Sequence, residues 1–417
     1  MLRTLVRGVK GGKWFSLMDK VYHERTLSMA WEKVKSNAGA CGVDGITVNR
    51  FDKDSEERLL VVKEYLKSGT YQPKPVKRVR IPKAGSNETR PLGIPTVTDR
   101  VVQQAVGMVL EPIYEHRFAE HSYGFRPGRS CHDALRRVSG QLADGYTHVV
   151  DIDIQGYFDT IDQERLMSLL AEDVSDGALL RVIESFLKAG VLDDGVWEMS
   201  EAGTPQGGVI SPLLSNLYLD GLDHLIEAEG YAMTRYADDM VILCKSAEEA
   251  TQALDTVKAW MEQARLKLHP EKTHTVDMRE VGVHFDFLGY RFYRSHRRIV
   301  PLVRPKSLLK LRENIRKKTR RCNGHSMQKI IENINPILRG WSGYFKQAYR
   351  GEHQKLDGWI RMRLRSIYRK RNRKRGRGRG SDNQRWPNRH FTELGLFSLV
   401  TAQREAISLR KGVKIMH

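Results

Sequence analysis

The sequence of 417 residues has little cysteine and no long apolar run. Its four cysteines lie far apart and form no paired spacing, which argues against a zinc site and against a disulfide framework. No apolar stretch approaches the roughly 20 residues that cross a bilayer, and the first 20 residues lack the compact apolar segment of an export signal. We therefore expect a cytoplasmic protein of two or three domains with no membrane partner. The cysteines are Cys41, Cys131, Cys244 and Cys322.

Acidic residues are scarce in one part of the chain only. Residues 1–290 hold 35 Lys or Arg against 43 Asp or Glu, whereas residues 291–380 hold 29 Lys or Arg against 4 Asp or Glu. Solvated faces normally mix both signs, so a segment this one-sided would repel itself without an anionic partner. We interpret the basic excess as a nucleic-acid-binding region, with a plain solvated surface as the alternative.

Hydrophobic periodicity indicates an α+β fold. Helices are expected up to about residue 70, where Gly69 ends the run. Strands are expected at 71–81, 148–154, 231–243 and 285–292, and helices at 160–190, 210–230, 247–266 and throughout after residue 304. Strands and helices mixed within one unit are typical of a sheet that carries helices on one face. Residues 375–380, which alternate Arg and Gly, resemble a flexible linker.

Two clusters of carboxylates interrupt the apolar strands. Asp151 and Asp153 lie inside a strand, and Asp238 and Asp239 stand where one strand turns into the next. An Asp pair at a hairpin is by itself an ordinary turn. Two clusters in neighbouring strands repel each other unless cations hold them together, and Mg²⁺ takes oxygen ligands. The pattern indicates a two-ion site for phosphoryl transfer. The strand period leaves Asp151 and Asp153 both open, because residues two apart face the same side.

The motifs around these aspartates resemble those of group II intron reverse transcriptases. YADD at 236–239 is similar to the YxDD box of that family, and DIQGYFD at 153–159 is similar to its preceding catalytic-aspartate motif. GTPQGGVISPLLSN at 203–216 is similar to the family motif GTPQGGxxSPLLxN. Further blocks resemble the fingers at 80–100 and 122–130, the junction of palm and thumb at 287–290, and the thumb and maturase region at 304–306 and 340–345. The resemblance covers about residues 30–350.

The resemblance implies a right-hand polymerase, with fingers, palm and helical thumb, within the α+β class. The expected domains are an N-terminal helical extension at 1–70, fingers and palm at 71–300, a helical thumb and maturase region at 301–350, and a basic DNA-binding segment at 351–417. No paired cysteines follow residue 351, so we expect no zinc-supported endonuclease domain. Residues 370–384 fit either DNA contacts or an unstructured solvated arm.

The resemblance also assigns roles to individual residues. It selects Asp153, with Asp238 and Asp239, as catalytic. The implied metal ligands are Asp153, Asp238 and the Ile154 backbone, which would hold two Mg²⁺ ions, with Mn²⁺ as an alternative. The implied dNTP contacts are Lys83, Arg90, Phe158, which would exclude a ribose 2′ hydroxyl, and Gln206, which would line the nucleotide pocket. The candidate nucleic-acid contacts in the basic region are Arg304, Lys306, Lys310, Arg316, Lys317, Arg320, Arg363 and Arg369.

The implied function is an RNA-directed DNA polymerase that also binds its group II intron RNA, promotes splicing and copies the intron at a DNA target. Its expected partners are that RNA, an RNA template with a DNA or RNA primer, target DNA and dNTPs, and it would act as a monomer or a dimer. Two alternatives stay open: a reverse transcriptase recruited to phage defence or spacer acquisition, and a non-catalytic RNA-splicing or folding protein. The presence of all three aspartates and Gln206 argues against a decayed polymerase.

Overall fold

The structure is a computed structural model that describes residues 12–82, 89–198, 202–204, 207–378 and 380–413. The chain divides into two compact units, Met1–Asp277 and Met278–His417. Each unit has its own cluster of buried apolar side chains, as expected of a domain. No helix within these described ranges is both long enough and apolar enough to span a membrane.

The described part of the first unit begins with helices. They are α1 Met18–Val21, α2 Glu24–Asn37, α3 Val48–Lys53 and α4 Ser55–Ser68. The His23 and Thr47 side chains cap α2 and α3 by accepting backbone N–H groups of the first helical turn. Gly69 ends α4 in the left-handed conformation, with a φ of 73°, and its N–H donates to carbonyls of the last turn. The predicted helical opening and its end at Gly69 are confirmed.

The remaining elements of the first unit form two sheets with helices against them. In chain order they are β1 Val76–Pro82, β2 Thr89–Ile94, α5 Val97–Tyr114, α6 Cys131–Ala143, β3 His148–Asp153, α7 Tyr157–Thr160, α8 Gln163–Asp173, α9 Gly177–Lys188, β4 Val191–Asp193, β5 Val196–Glu198, α10 Ser211–Ala228, β6 Ala232–Tyr236, β7 Asp239–Cys244, α11 Ala247–Gln263 and β8 His274–Asp277. This mixture of strands and helices within one unit confirms the predicted α+β class.

The first sheet has the strand order β2-β1-β4-β5. Strands β1 and β2 pair antiparallel, which sets Arg90 opposite Ile81. Two ion pairs join β1 to β4, because Arg78 and Arg80 both reach the Asp193 carboxylate, at 3.3 and 2.8 Å. The strand expected from residue 71 begins only at Val76, since prolines at 73 and 75 have no N–H to give to a ladder.

The second sheet has the order β6-β7-β3-β8, and every neighbouring pair is antiparallel. Strand β3 is central, and its apolar residues Val149, Val150 and Ile152 are completely or almost completely buried. Helix α11 packs against β3 and β7, and α10 packs against β6. The predicted strand at 148–154 is therefore confirmed as the buried centre of this sheet, and its carboxylates lie at the less buried positions.

The second unit combines a small sheet with a helical bundle. Its sheet has the order β11-β10-β9, with β9 His284–Phe287, β10 Tyr290–Arg294 and β11 Ile299–Val303. The helices are α12 Pro305–Lys318, α13 Met327–Tyr344, α14 Arg350–Arg371, α15 Ser381–Arg385, α16 Asn388–Glu393 and α17 Leu399–Val413. Ile330, Ile334, Leu356 and Ile360 lie at the centre of the helical core. The predicted helical character after residue 304 is confirmed.

The basic segment after α14 folds back on that helix. Arg369 donates to the Arg375 carbonyl and to the Asp382 carboxylate, each at 2.7 Å. The Tyr368 ring stacks on Trp386 with centroids 5.0 Å apart. These contacts fix Arg375, the first residue of the predicted linker at 375–380, and Asp382 and Trp386, which follow the linker, to the last turns of α14.

A buried histidine is expected to make the second unit acid-sensitive. His353 is fully buried beside Trp341. Burial lowers the pKa of its imidazole, and the nearby Asp357 carboxylate opposes this shift only in part. The unfolded chain therefore binds the proton more tightly, so stability is lost as the pH falls through the unfolded value of about 6.5. We expect the fall in melting temperature between pH 7.5 and pH 5.5 to be smaller in His353→Leu than in the wild type. An equal fall in both proteins would contradict this assignment.

Candidate active site

The YADD sequence forms a tight hairpin between β6 and β7. Tyr236 pairs with Asp239 across the two strands, which leaves Ala237 and Asp238 as the two residues of the turn. Ala237 has a left-handed φ of 59°, a conformation that costs a non-glycine residue roughly 1–2 kcal/mol. The predicted position of the aspartates at a strand-to-strand turn is confirmed.

The strand register places two of the aspartates side by side. Asp153 at the end of β3 is opposite Asp239 at the start of β7, whereas Asp151 is opposite Val241. Directly opposed residues of antiparallel strands share one face of the sheet, with Cβ atoms about 4.5–5.5 Å apart. The structure therefore brings Asp153 and the 238–239 pair together. The register also distinguishes Asp153 from Asp151, which the strand period alone could not do.

Asp238 is a partly buried carboxyl in the turn. Burial raises the pKa of its carboxyl, and the negative charge of Asp153 acts in the same direction. Arg90 and Arg235 oppose the shift, so both guanidinium groups act on this carboxyl electrostatically. The predicted triphosphate ligand Arg90 therefore lies within electrostatic range of the aspartate turn.

Lys272 is a site residue that sequence reasoning missed. Its ammonium lies 3.2 and 3.4 Å from the two carboxylate oxygens of Asp153, and more than half of its side chain is exposed. The neighbouring Thr273 side chain holds the same strand end, since its hydroxyl lies 3.3 Å from the Asp153 N–H and 3.2 Å from the Asp153 carbonyl. The available signal was the charged run HPEKTH at 269–274, which leads into β8.

The Ile154 carbonyl is directed toward the β7 side of the strand end. The Gln155 N–H donates to the Lys267 carbonyl and the His269 N–H donates to the Asp153 carbonyl, both at 2.8 Å, around an Ile154–Leu268 bridge. Alternate residues of an antiparallel strand point their carbonyls to opposite sides. The Ile154 carbonyl therefore points away from Leu268, as its predicted role as a metal ligand requires.

Described residues between β5 and α10 approach both the first sheet and Phe158. A Cβ atom on Gly207, whose φ is 110°, would lie 2.3 Å from the Gly93 carbonyl oxygen in β2. The Thr204 N–H donates to the Phe158 carbonyl at 2.7 Å. Phe158 itself is buried next to Tyr157, with ring centroids 5.4 Å apart. The structure thus groups Phe158, Thr204, Gly207 and β2. The predicted contacts Lys83 and Gln206 lie outside the described residues.

The donor set fits a metal that is shared with a substrate. Within the described ranges, no group of three or more His, Cys, Asp or Glu side chains is placed to hold an ion by itself. Asp153 and Asp238 offer carboxylates and Ile154 offers a carbonyl. Mg²⁺ is usually bound by one or two carboxylates plus substrate phosphates, rather than by a cage made of protein alone. These residues therefore suit an ion that arrives with a triphosphate.

The basic candidates in the second unit fall into two groups. Arg363 donates to the hydroxyl and carbonyl of Thr319, at 2.8 and 2.9 Å, and Arg369 holds the segment around Asp382. Arg304 pairs with Asp286 at 3.0 Å. These three side chains support the fold of their own unit. The other candidates are Lys306, Lys310, Lys317 and Arg320, which are exposed, and Arg316, whose guanidinium lies 5.9 Å from the centroid of the Trp359 ring.

Comparison with known proteins identifies the family. The sequence family described as "Reverse transcriptase (RNA-dependent DNA polymerase)" matches residues 81–292, about half of the chain. The family described as "Group II intron, maturase-specific domain" matches residues 308–386. The chain belongs to the group II intron reverse transcriptases and maturases. This family membership confirms the right-hand polymerase class expected from the sequence.

Relatives of this chain include an intron-encoded protein. It is 43% identical over 198 residues to the group II intron-encoded protein LtrA of Lactococcus lactis subsp. cremoris, a match that covers 48% of this chain and 33% of LtrA. It is 35% identical over 336 residues to protein YkfC of Escherichia coli strain K12, covering 71% of this chain and 84% of YkfC. The chain thus spans only about a third of the length of LtrA. A chain of a solved "Partial Cas6-RT-Cas1--Cas2 complex" is 25% identical, with 62% of this chain and 43% of that chain covered and a TM-score of 0.38.

Proposed function

We propose that this protein is an RNA-directed DNA polymerase that binds its group II intron RNA, promotes its splicing and copies it at a DNA target. The observation that carries the proposal is the register of β3 against β7, which sets Asp153 opposite Asp239, next to the turn that carries Asp238. Asp153, Asp238 and Asp239 therefore lie at one edge of this sheet, and Arg90 acts electrostatically on the Asp238 carboxyl. This is the arrangement that nucleotidyl transfer requires.

Each group at this edge has a distinct proposed task. Asp153, Asp238 and the Ile154 carbonyl would hold two Mg²⁺ ions, or Mn²⁺ ions. Asp239 would be the third catalytic carboxylate, opposite Asp153. Bound Mg²⁺ would supply positive charge at the attacking and leaving oxygens. Arg90, together with Lys83, would bind the triphosphate, because guanidinium and ammonium groups pair strongly with phosphate oxygens. Gln206 would line the nucleotide pocket, beside the close approach of Gly207 to β2.

The second unit would bind the nucleic acids. From residue 278 to the end the sequence has 36 Lys or Arg against 9 Asp or Glu, a charge that favours RNA and DNA backbones. The exposed residues Lys306, Lys310, Lys317 and Arg320, with Arg316, are the proposed phosphate contacts. The proposed organisation keeps an N-terminal extension at 1–70, fingers and palm at 71–300, a thumb and maturase region at 301–350 and a basic DNA-binding segment at 351–417.

Phe158 is expected to select the sugar. Phe158 lies five residues after Asp153 and its ring is buried. In its proposed role the ring borders the sugar, so truncation would open space there, and a hydrophobic barrier to one hydroxyl is worth about 10²-fold. We expect Phe158→Ala to reduce the preference for dATP over ATP by 10- to 100-fold in single-nucleotide incorporation on an RNA template. Phe186→Ala, which truncates another buried phenylalanine in the same unit, is the matched control. An equal change in both variants would contradict a specific role for Phe158.

The polymerase and RNA-binding activities can be tested separately. The wild type and Asp238→Ala are compared for extension of a DNA primer on an RNA template with dNTPs and Mg²⁺, and for binding of the group II intron RNA and stimulation of its splicing. We expect the variant to lose extension but to retain intron RNA binding and splicing, because its change lies in the first unit. If the wild type stimulates splicing but neither protein extends a primer, the chain is a splicing factor and the proposed polymerase is wrong.

A further inference from the structure

Arg235 is a fully buried cation directly before the catalytic turn. It belongs to β6, and its side chain is completely inaccessible to solvent. A buried guanidinium is strongly unfavourable unless it is paired and its donors are satisfied. The Arg235 guanidinium therefore needs partners that satisfy its charge and its N–H groups.

The guanidinium bonds to three groups on two different elements. Its Nε donates to Asp223 Oδ1 at 2.7 Å, and one terminal nitrogen donates to the other oxygen of the same carboxylate. The second terminal nitrogen donates to Asn216 Oδ1 and to the Ala237 carbonyl, both at 3.0 Å. Asp223 and Asn216 are buried residues of α10. Arg235 thus ties the backbone of the turn to this helix.

The tied residue is the strained one. Ala237 holds a left-handed φ of 59° and is followed directly by Asp238. Strained turns persist only where the surrounding structure over-determines them. A hydrogen bond from a rigid, fork-shaped donor to the Ala237 carbonyl fixes the peptide plane that joins Ala237 to Asp238.

A second contact holds the other side of the turn. The Asn216 side-chain amide donates to the Gly124 carbonyl at 2.8 Å. A Cβ on Gly124 would lie only 2.2 Å from the Ala237 nitrogen, so the 122–125 loop packs directly on the turn. Asn216 is therefore bonded both to Arg235 and to the loop that covers Ala237.

We propose that Arg235 is a positioning residue: held by Asp223 and Asn216, it fixes the Ala237 carbonyl and thereby the direction in which the Asp238 carboxylate points. This inference rests on the proposed polymerase function. Arg235 does not touch the substrate in this account. It acts through the turn, so its loss should slow the chemical step more than it weakens nucleotide binding.

The test replaces the buried ion pair by apolar residues of similar size. Exchange of a buried pair for well-packed apolar side chains is often neutral or stabilising, so Arg235→Met combined with Asp223→Leu should fold while lacking the bond to Ala237. We expect an unchanged melting temperature, a 10- to 100-fold lower kcat for single-nucleotide incorporation, and a KM for dNTP within threefold of the wild type. In a Mn²⁺ titration followed by electron paramagnetic resonance, with an RNA template and DNA primer bound, half-saturation should require several-fold more Mn²⁺.

Two further variants complete the test: a control that removes another ion pair and a second substitution of Arg235. Lys63→Met with Glu24→Leu removes an ion pair between two helices of the first unit, with an N–O distance of 2.7 Å, and should leave kcat unchanged. Arg235→Lys keeps a charge for Asp223 but lacks the fork that also reaches Ala237, and it decides the matter if the double variant does not fold. Wild-type kcat in a folded Arg235 variant would overturn the inference. Absence of extension by the wild type would instead overturn the proposed function.

Discussion

Gly124→Ala is expected to abolish most of the polymerase activity although alanine adds a single methyl group. The added Cβ would lie 2.2 Å from the Ala237 nitrogen and 2.8 Å from the Tyr236 carbonyl carbon. Both neighbours are backbone atoms of the catalytic hairpin, so the clash can be relieved only if the hairpin or the loop moves. A misplacement of about 1 Å costs about 10²-fold in rate, and forced overpacking costs roughly 1–3 kcal/mol of stability.

The measurement is single-turnover incorporation, together with the free energy of unfolding from urea titration. Gly107→Ala is the matched control, because this glycine lies within α5 and a Cβ there would meet no atom within 4 Å. The control should be neutral or more stable by about 0.5–1 kcal/mol, since alanine is a better helix former. Activity of Gly124→Ala within threefold of the wild type would show that the 122–125 loop does not hold the turn.

Asp153→Asn and Asp151→Asn are expected to differ sharply although both change a carboxylate in β3. Asp153 stands opposite Asp239 and contacts Lys272, whereas Asp151 stands opposite Val241. Loss of a metal-binding carboxylate should lower the incorporation rate by about 10³-fold or more, a barrier increase of about 4 kcal/mol. Asp151→Asn should lose less than tenfold, because Asp151 faces Val241 in the neighbouring strand.

Rates of nucleotide incorporation at saturating dNTP measure this contrast, with melting temperatures to confirm that both variants are folded. Equal losses would mean that the two carboxylates act as a unit and that strand register does not decide which one works. A larger loss in Asp151→Asn would reverse the assignment of the catalytic aspartate.

The sequence predicted the elements of the site better than their partners. Hydrophobic period placed Asp153 in a buried strand and the 238–239 pair at a turn, because local pattern controls both. Period could not choose between Asp151 and Asp153, since the choice depends on register with β7, a strand more than 80 residues away. Resemblance made the same choice that the register supports.

Long-range contacts account for what the sequence did not predict. Lys272 meets Asp153 across 119 positions, and no local pattern encodes that meeting. Arg235 and Asp223 are 12 positions apart and look like ordinary charges in the sequence, although the structure buries both completely. Arg363 and Arg369 stay predicted nucleic-acid contacts, and their guanidinium groups also bond to Thr319 and Asp382, which local charge did not reveal. Charge density can predict a basic surface but cannot tell which cations the fold itself uses.

RNA-templated DNA synthesis by the unmodified protein tests the central claim most directly. A labelled DNA primer is annealed to an RNA template and incubated with the protein, dNTPs and Mg²⁺, and parallel reactions omit the template, the dNTPs or the metal. We expect template-length DNA only in the complete reaction, and none when EDTA replaces Mg²⁺. If the folded protein binds the primer and template tightly and yet adds no nucleotide, the aspartate edge of this sheet is not a polymerase active site, and the account is contradicted.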